Sequence, residues 1–210
     1  MKNKFDIVID FLIDNPESLS GRKKNVDINS LEGRKVLYGM FVGDREKHVA
    51  LVRPSTIPDE AVSMILKAAN GYSDEELERI KIEHQYSMSA ENLVGYLLEK
   101  YLAEKLEPHG WVWCSGDFVK AVDFIKKDEY GIWHALQIKN RDNTENSSSS
   151  AIRKGTTIEK WFRTFSKPSL KRDTNTNWDA FPEARFVELL SEDDFLSYIK
   201  NLVSSGSIYS

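Results

Sequence analysis

The chain has 210 residues, 40% of them apolar and 30% charged, more than one typical domain needs and fewer than two comfortable ones. A chain of this length buries roughly 70% of the surface its unfolded form exposes, so its core needs neither disulfides nor a structural metal. The single cysteine, Cys114, excludes an internal disulfide. The apolar run Phe5 to Ile13 is broken by Asp6 and Asp10 and followed by Asp14. This argues against a signal peptide or membrane helix and points to a cytoplasmic protein.

Net charge is −4, but the mean hides an asymmetry. Between Lys139 and Arg172 there are nine basic residues and three acids, so this stretch carries +6 and the rest of the chain −10. A basic island on an acidic body is the footprint expected where a phosphate backbone docks on one face. A solvated helix face would have a similar composition.

In chain order, residues 5–14 predict a helix, and Val36–Val42 with His48–Val52 around Gly43-Asp44 predicts a hairpin. Pro58, Asp59 and Glu60 open a helix that closes at Gly71. Ser73 and Glu76 form a capping-box pattern for another, running to about His84. Ser89 is the expected N-cap of a third helix, whose apolar stripe (Leu93, Val94, Leu97, Leu98, Tyr101, Leu102, Leu106) ends before Pro108 and Gly110. Three strands are expected at Trp111–Cys114, Val119–Ile125 and Ile132–Ile138, followed by a polar surface loop from Asn140 to Ser150. Thr156 and Glu159 suggest a helix with Ile158, Trp161, Phe162 and Phe165 on one face and Lys160, Arg163 and Lys167 on the other. A short strand (Arg185–Leu190) and a helix opened by Ser191 complete an α+β pattern.

The residues that carry chemistry are Asp123 on the middle strand and Gln137-Ile138-Lys139 on the next. If those strands pair, Asp123 meets Gln137 and Lys139, which share a face because strand side chains alternate. A carboxylate and an amide oxygen are hard ligands for Mg²⁺, and a lysine beside them can orient a water. The four histidines share no zinc-ligand spacing with each other or with Cys114.

This arrangement resembles the PD-(D/E)xK nuclease superfamily over about residues 89–140. The segment from Gln137 to Arg153, with Trp161-Phe162-Arg163 after it, is more narrowly similar to SinI-type type II restriction endonucleases, out to about residue 178. The resemblance implies a restriction-endonuclease-like core, with a mixed sheet flanked by helices, in a single nuclease domain over 1–210. Residues 1–88 would be its N-terminal part, 89–140 the catalytic core and 141–178 the DNA-contacting region. Asp123 matches the metal-binding aspartate, Gln137 the D/E position and Lys139 the lysine. Glu91 matches the upstream helix glutamate, with Glu99 a competing choice. Val122 stands where a proline often precedes the aspartate, and Gln137 replaces a carboxylate, which leaves the site one negative charge short. The resemblance also implies Mg²⁺, double-stranded DNA with a short palindromic GGWCC-like target, a homodimer and a cognate DNA methyltransferase.

Arg141, Asn143, Arg153 and Lys154 are expected to contact bases or phosphates, because Arg pairs with guanine and Asn with adenine in the major groove. Lys160, Arg163 and Lys167 are expected phosphate contacts. Two other readings stay open: a non-catalytic DNA-binding protein, and a repair or junction nuclease of the same superfamily.

Overall fold

The computed structural model describes residues 3–142 and 157–206. They form two compact units, one from residues 1–47 and 97–199, the other from 48–96 and 200–210. Both are built from helices capped as the sequence implies, and the first also holds a four-stranded mixed sheet.

In the first unit, α1 (Lys4–Asp14) starts at Asn3, whose side chain accepts from the Asp6 amide at 2.8 Å. Phe5, Val8, Ile9 and Leu12 recur at helical spacing and are all buried. The expected hairpin does not form. Residues 36–42 lie within α2 (Leu31–Arg45), and residues 48–52 have no regular structure. The cause is local: Ser30 caps Gly33 at 3.0 Å, and the only large buried side chains, Leu37 and Phe41, are four apart. Gly33 is obligatory, because a Cβ there would lie 1.9 Å from the Asp27 carbonyl oxygen.

The strands are β1 (Val112–Trp113), β2 (Phe124–Lys127), β3 (Trp133–Arg141) and β4 (Ile158–Thr164), in that spatial order. The first three form the expected antiparallel meander, while β4 runs parallel to β3. β2 begins five residues later than expected. Before it the chain takes positive φ at Gly116, Asp117 and Ala121, which breaks the strand, and Val119 bridges to Leu19 instead.

β4 replaces the helix expected after Thr156. Ile158, Trp161, Phe162 and Phe165 satisfy helical spacing, but a segment rich in Thr, Ile and aromatic residues also suits a half-buried strand, and pairing along β3 decides between them. The expected strand at 185–190 is a 3₁₀ turn, Ala184–Phe186, after which the Leu190 amide donates to the Phe186 carbonyl at 3.0 Å. The last helix, α5 (Glu192–Ser204), opens as expected on Ser191, which accepts from the Asp194 amide at 3.1 Å.

Alternation along the strands divides the core. Val112, Ile125 and Ala135 pack with Phe5, Val8, Phe11 and Leu12 of α1 and with Leu37 and Phe41 of α2. Phe124, Leu136, Ile138 and Trp161 point the other way. On that side Trp161 meets Trp178 and Phe181, with ring centroids 5.0 and 5.2 Å away, and Tyr101 meets Trp178 and Phe195.

In the second unit, Asp59 caps α3 (Glu60–Asn70) through the Ala61 amide at 2.9 Å. Buried Gln85 accepts from Arg53 at 2.7 Å and donates to the Thr56 carbonyl at 2.6 Å. The two helices expected at 73–84 and 89–106 are one, α4 (Asp74–Leu106). The Ser73–Glu76 capping box forms, but the Ser89 hydroxyl donates to the Val52 carbonyl at 2.7 Å instead of capping a helix. No helix among the described residues is long and apolar enough to cross a membrane.

Glu107, half-buried just after α4, ties three elements of the first unit together. It accepts from Lys4 of α1 at 2.5 Å, from Arg45 of α2 at 2.7 Å and from the Trp113 amide of β1 at 3.2 Å. Burial alone would push its carboxyl up, but the Arg45 and Lys4 bonds outweigh it and hold the group below the usual carboxylate range. A depressed folded value contributes stability above the unfolded pKa of about 4.3, and this is lost as pH falls through the folded value. Glu107→Gln should therefore cost about 2 kcal/mol at pH 7. Urea unfolding should show the gap to wild type closing in acid.

Candidate active site

Asp123 sits immediately before β2, held on both sides by backbone. Its amide donates to the Leu136 carbonyl at 2.9 Å, and its carbonyl accepts from the Cys114 amide at 2.8 Å. The β2–β3 ladder ends at Phe124 and Leu136 while β3 continues, so the next inward amide of β3 needs another acceptor. Asp123 supplies it: Oδ2 accepts from the Ile138 amide at 2.6 Å. The carboxylate is thereby fixed beside Gln137 and Lys139, the former 3% exposed and the latter half-buried.

The helix acid that joins this group is Glu99. It lies on the part of α4 belonging to the first unit, where Oε2 accepts from the Trp113 indole at 3.0 Å. Glu91 is exposed and lies among the residues of the second unit.

Desolvation pushes the Glu99 carboxyl well above the usual carboxylate range. The Asp123 charge adds to this, and the Trp113 bond and Lys139 oppose it. Desolvation also pushes Asp123 up to about 6, against the Ile138 amide and Lys139, with Asp117 adding a little. Beside the Asp123 charge the Glu99 carboxyl resists ionising, and a bound cation would relieve that resistance. Asp123 and Glu99, with the Gln137 amide on the neighbouring strand, are hard-oxygen groups of the kind that could hold a divalent cation. Among the described residues no three His, Cys, Asp or Glu side chains cluster at metal-ligand spacing.

Two further acids flank the site, and their sequence signal was only that of turns. The Asp44 carboxylate of α2 accepts from the Gly116 amide at 3.0 Å, and the Ser115 hydroxyl donates to the Phe41 carbonyl at 2.9 Å. Gly116, at φ +102°, lies so close to α2 that a Cβ would sit 2.8 Å from the Met40 carbonyl carbon. This docking presents exposed Asp117 near Asp123.

The expected DNA-contacting residues separate. Asn143, Arg153 and Lys154 lie outside the described residues. Arg163 is 11% exposed: it donates to Asn140 at 2.9 Å and to Glu192 at 2.5 Å, with its guanidinium 5.0 Å from the Phe195 ring centre. Its charge is therefore engaged internally. Arg141 and Lys167 are exposed around an open concavity of about 330 Å³. Lys160 is half-buried on β4, in register with Gln137. Cys114 is buried, and desolvation pushes its thiol well up, so it serves as a packing residue.

Because the folded pKa of Asp123 exceeds its unfolded value, ionisation of this group opposes folding. The metal-free protein should lose about 2–3 kcal/mol from it as pH rises from about 4 to about 6. Asp123→Asn should remove that slope. Denaturant unfolding in EDTA across this range measures it, and parallel wild-type and variant curves would refute it.

Comparison with known proteins agrees along nearly the full chain. Residues 1–205 match the SinI restriction endonuclease family. The chain is 50% identical over 205 residues to the type II restriction enzyme Eco47I of Escherichia coli and 49% identical over 207 residues to the type II restriction enzyme SinI of Salmonella infantis. Each alignment covers 96% of this chain and 86% of the relative. With the family match spanning residues 1–205 and about half of all aligned positions identical to two of its type II restriction enzymes, the chain belongs to the SinI restriction endonuclease family.

Proposed function

We propose that the protein is a type II restriction endonuclease that hydrolyses phosphodiester bonds of double-stranded DNA with Mg²⁺ at a short palindromic site, of the GGWCC kind that the family resemblance implies. The observation that carries this reading is the Asp123 clamp. One oxygen of its carboxylate is bonded to the Ile138 amide, between Gln137 and Lys139, and Glu99 shares the same desolvated surroundings. A two-fold target is most simply read by a homodimer, and host DNA is protected by a cognate methyltransferase.

Asp123, Glu99 and the Gln137 amide oxygen would hold the metal. When bound, Mg²⁺ would polarise the scissile phosphate and favour hydroxide at its bound water. Glu99 takes the helix-acid role for which Glu91 was the first expectation. Lys139 orients the attacking water and offsets negative charge developing on the phosphate. The β1–β3 backbone fixes Asp123 before substrate arrives, so little reorganisation is left to the reaction itself. Arg141 and Lys167, exposed near the ends of β3 and β4, bind DNA backbone or bases, and Asn143, Arg153 and Lys154 extend that contact.

Unmethylated phage DNA incubated with the purified protein should give discrete fragments with Mg²⁺ and remain intact with EDTA. Asp123→Ala, Lys139→Ala and Glu99→Gln should each slow cutting by about 100-fold or more while DNA is still retained in gel shifts. Glu91→Gln should cut like wild type. Intact DNA with wild-type protein and Mg²⁺, or a Glu91 variant as impaired as the Glu99 one, would reject the assignment.

A further inference from the structure

We infer that Lys160 is a catalytic residue of this site, a cation that contacts the scissile phosphate from β4; the inference rests on the nuclease reading above. In the parallel β3–β4 register, Gln137 is paired with Lys160, Ile138 with Trp161 and Lys139 with Phe162. Registered neighbours share a face of the sheet. Ile138 and Trp161 are 4% and 1% exposed and belong to the aromatic side of the sheet. Gln137, Lys139 and Lys160 therefore lie on the other side, the one on which Ile125 and Ala135 pack against α1 and α2, with Gln137 buried and Lys160 half-buried.

On the other side of β3 the paired register ends at Phe124–Leu136, and Asp123, just before it, reaches β3 through its amide to the Leu136 carbonyl and its Oδ2 to the Ile138 amide, the two residues that bracket Gln137. Asp123, Gln137 and Lys160 thus form one row across three adjacent chain segments, spaced about 5 Å from one to the next. An anion stands at one end of the row, a neutral amide in the middle and a cation at the other end.

One step along the same face, Ala135 and Ile158 line a recess of about 140 Å³ that Phe11 of α1 and Asn15 just after it close on the other side. The packing of α1 on this side of the sheet therefore reaches Ala135, one same-face pairing before Gln137 and Lys160. Expected at first as one of three cations along a helix, Lys160 is instead separated by strand alternation from Arg163, whose side chain turns to Asn140 and Glu192.

The position has a chemical logic. As the oxygen of water bonds to phosphorus and the bond to the leaving sugar oxygen breaks, negative charge grows on the non-bridging phosphate oxygens. The attacking water gives up its proton to solvent, and the leaving oxygen takes one from solvent. Lys160 exchanges no proton. Its ammonium group offsets charge on the side of the phosphate away from Asp123, while Lys139, two residues beyond Gln137 on β3, serves the attacking water.

The test uses the full chain with excess enzyme over unmethylated phage DNA in Mg²⁺, and DNA binding in EDTA across a salt series. Lys160→Met and Lys160→Gln should slow single-turnover cutting by about 100-fold. Affinity and the salt slope should stay within about twofold of wild type, a split that a plain backbone contact does not produce. Lys160→Arg should recover at least about a tenth of the rate, because it restores the charge. Wild-type rates in the neutral variants would overturn the inference. So would reduced affinity with a salt slope lower by about one and an unchanged rate at saturation, which would make Lys160 an ordinary phosphate contact. Failure of both neutral variants to fold while Lys160→Arg folds would assign Lys160 to structure and overturn it as well. An uncut control with wild-type protein would instead bring down the nuclease reading underneath, so the two failures are distinct.

Discussion

The bond from the Ile138 amide to Asp123 Oδ2 does two jobs that are usually separate. It completes hydrogen bonding on β3 where β2 stops, and it fixes a carboxylate in a desolvated place. Without that acceptor, β3 would carry an unpaired inward amide, a cost of about 1–3 kcal/mol. Without the backbone ladder on both sides of Asp123, the carboxylate would have no fixed relation to Gln137 and Lys139. A carboxylate has two oxygens, and the clamp uses only one.

The electrostatics follow from this placement. Asp123 and Glu99 both sit where water is scarce, and desolvation raises the pKa of each; the Asp123 charge raises Glu99 further, and Lys139 opposes both shifts. Such an arrangement opposes folding and persists because other parts of the first unit hold it in place. Aromatic packing of Trp161, Trp178, Phe181 and Phe186 fixes the far face of the sheet. Glu107 links α1, α2 and β1 at the near end. Ser115 and Gly116 lock the preceding loop onto α2. These contacts are strong and local, and none of them needs substrate to form.

What the sequence disclosed and what it withheld divide along the same physical line. α1, α3, the Ser73–Glu76 box and the three-stranded meander are specified by residues a few positions apart, and they form as read except that β2 starts at Phe124 instead of Val119. Asp123, Gln137 and Lys139 were legible because a hairpin brings its own two strands together. β4 was not: its apolar spacing fits helix and strand equally, and the deciding partner, β3, is distant in sequence. The same holds for the helix acid. Nothing local says which turn of α4 faces Trp113, so Glu91 and Glu99 could be separated only by the Trp113 indole that bonds Glu99. Asp44 was hidden for a third reason: Gly43-Asp44 has the composition of a turn, yet Ser30 and the Leu37–Phe41 pair carry the helix through it.

Turning β4 from a helix into a strand changes what the basic island means. On a helix, Lys160, Arg163 and Lys167 would line one face and act as one electrostatic surface. On a strand the first two point in opposite directions, and they differ in environment as much as in direction. Arg163 braces Asn140 on β3 and Glu192 on α5, so its charge is largely cancelled within the fold. Lys160 is half-buried in register with Gln137, an amide where the motif that the sequence resembles has a carboxylate. A carboxylate at 137 would add a further anion beside Asp123 in a desolvated site, before any metal or phosphate entered. With an amide there, the site presents an oxygen donor at lower cost in repulsion, and an incoming phosphate meets less negative charge. The formal excess of +6 in this stretch therefore overstates the charge it presents outward, because that of Arg163 is matched by Glu192 within the fold.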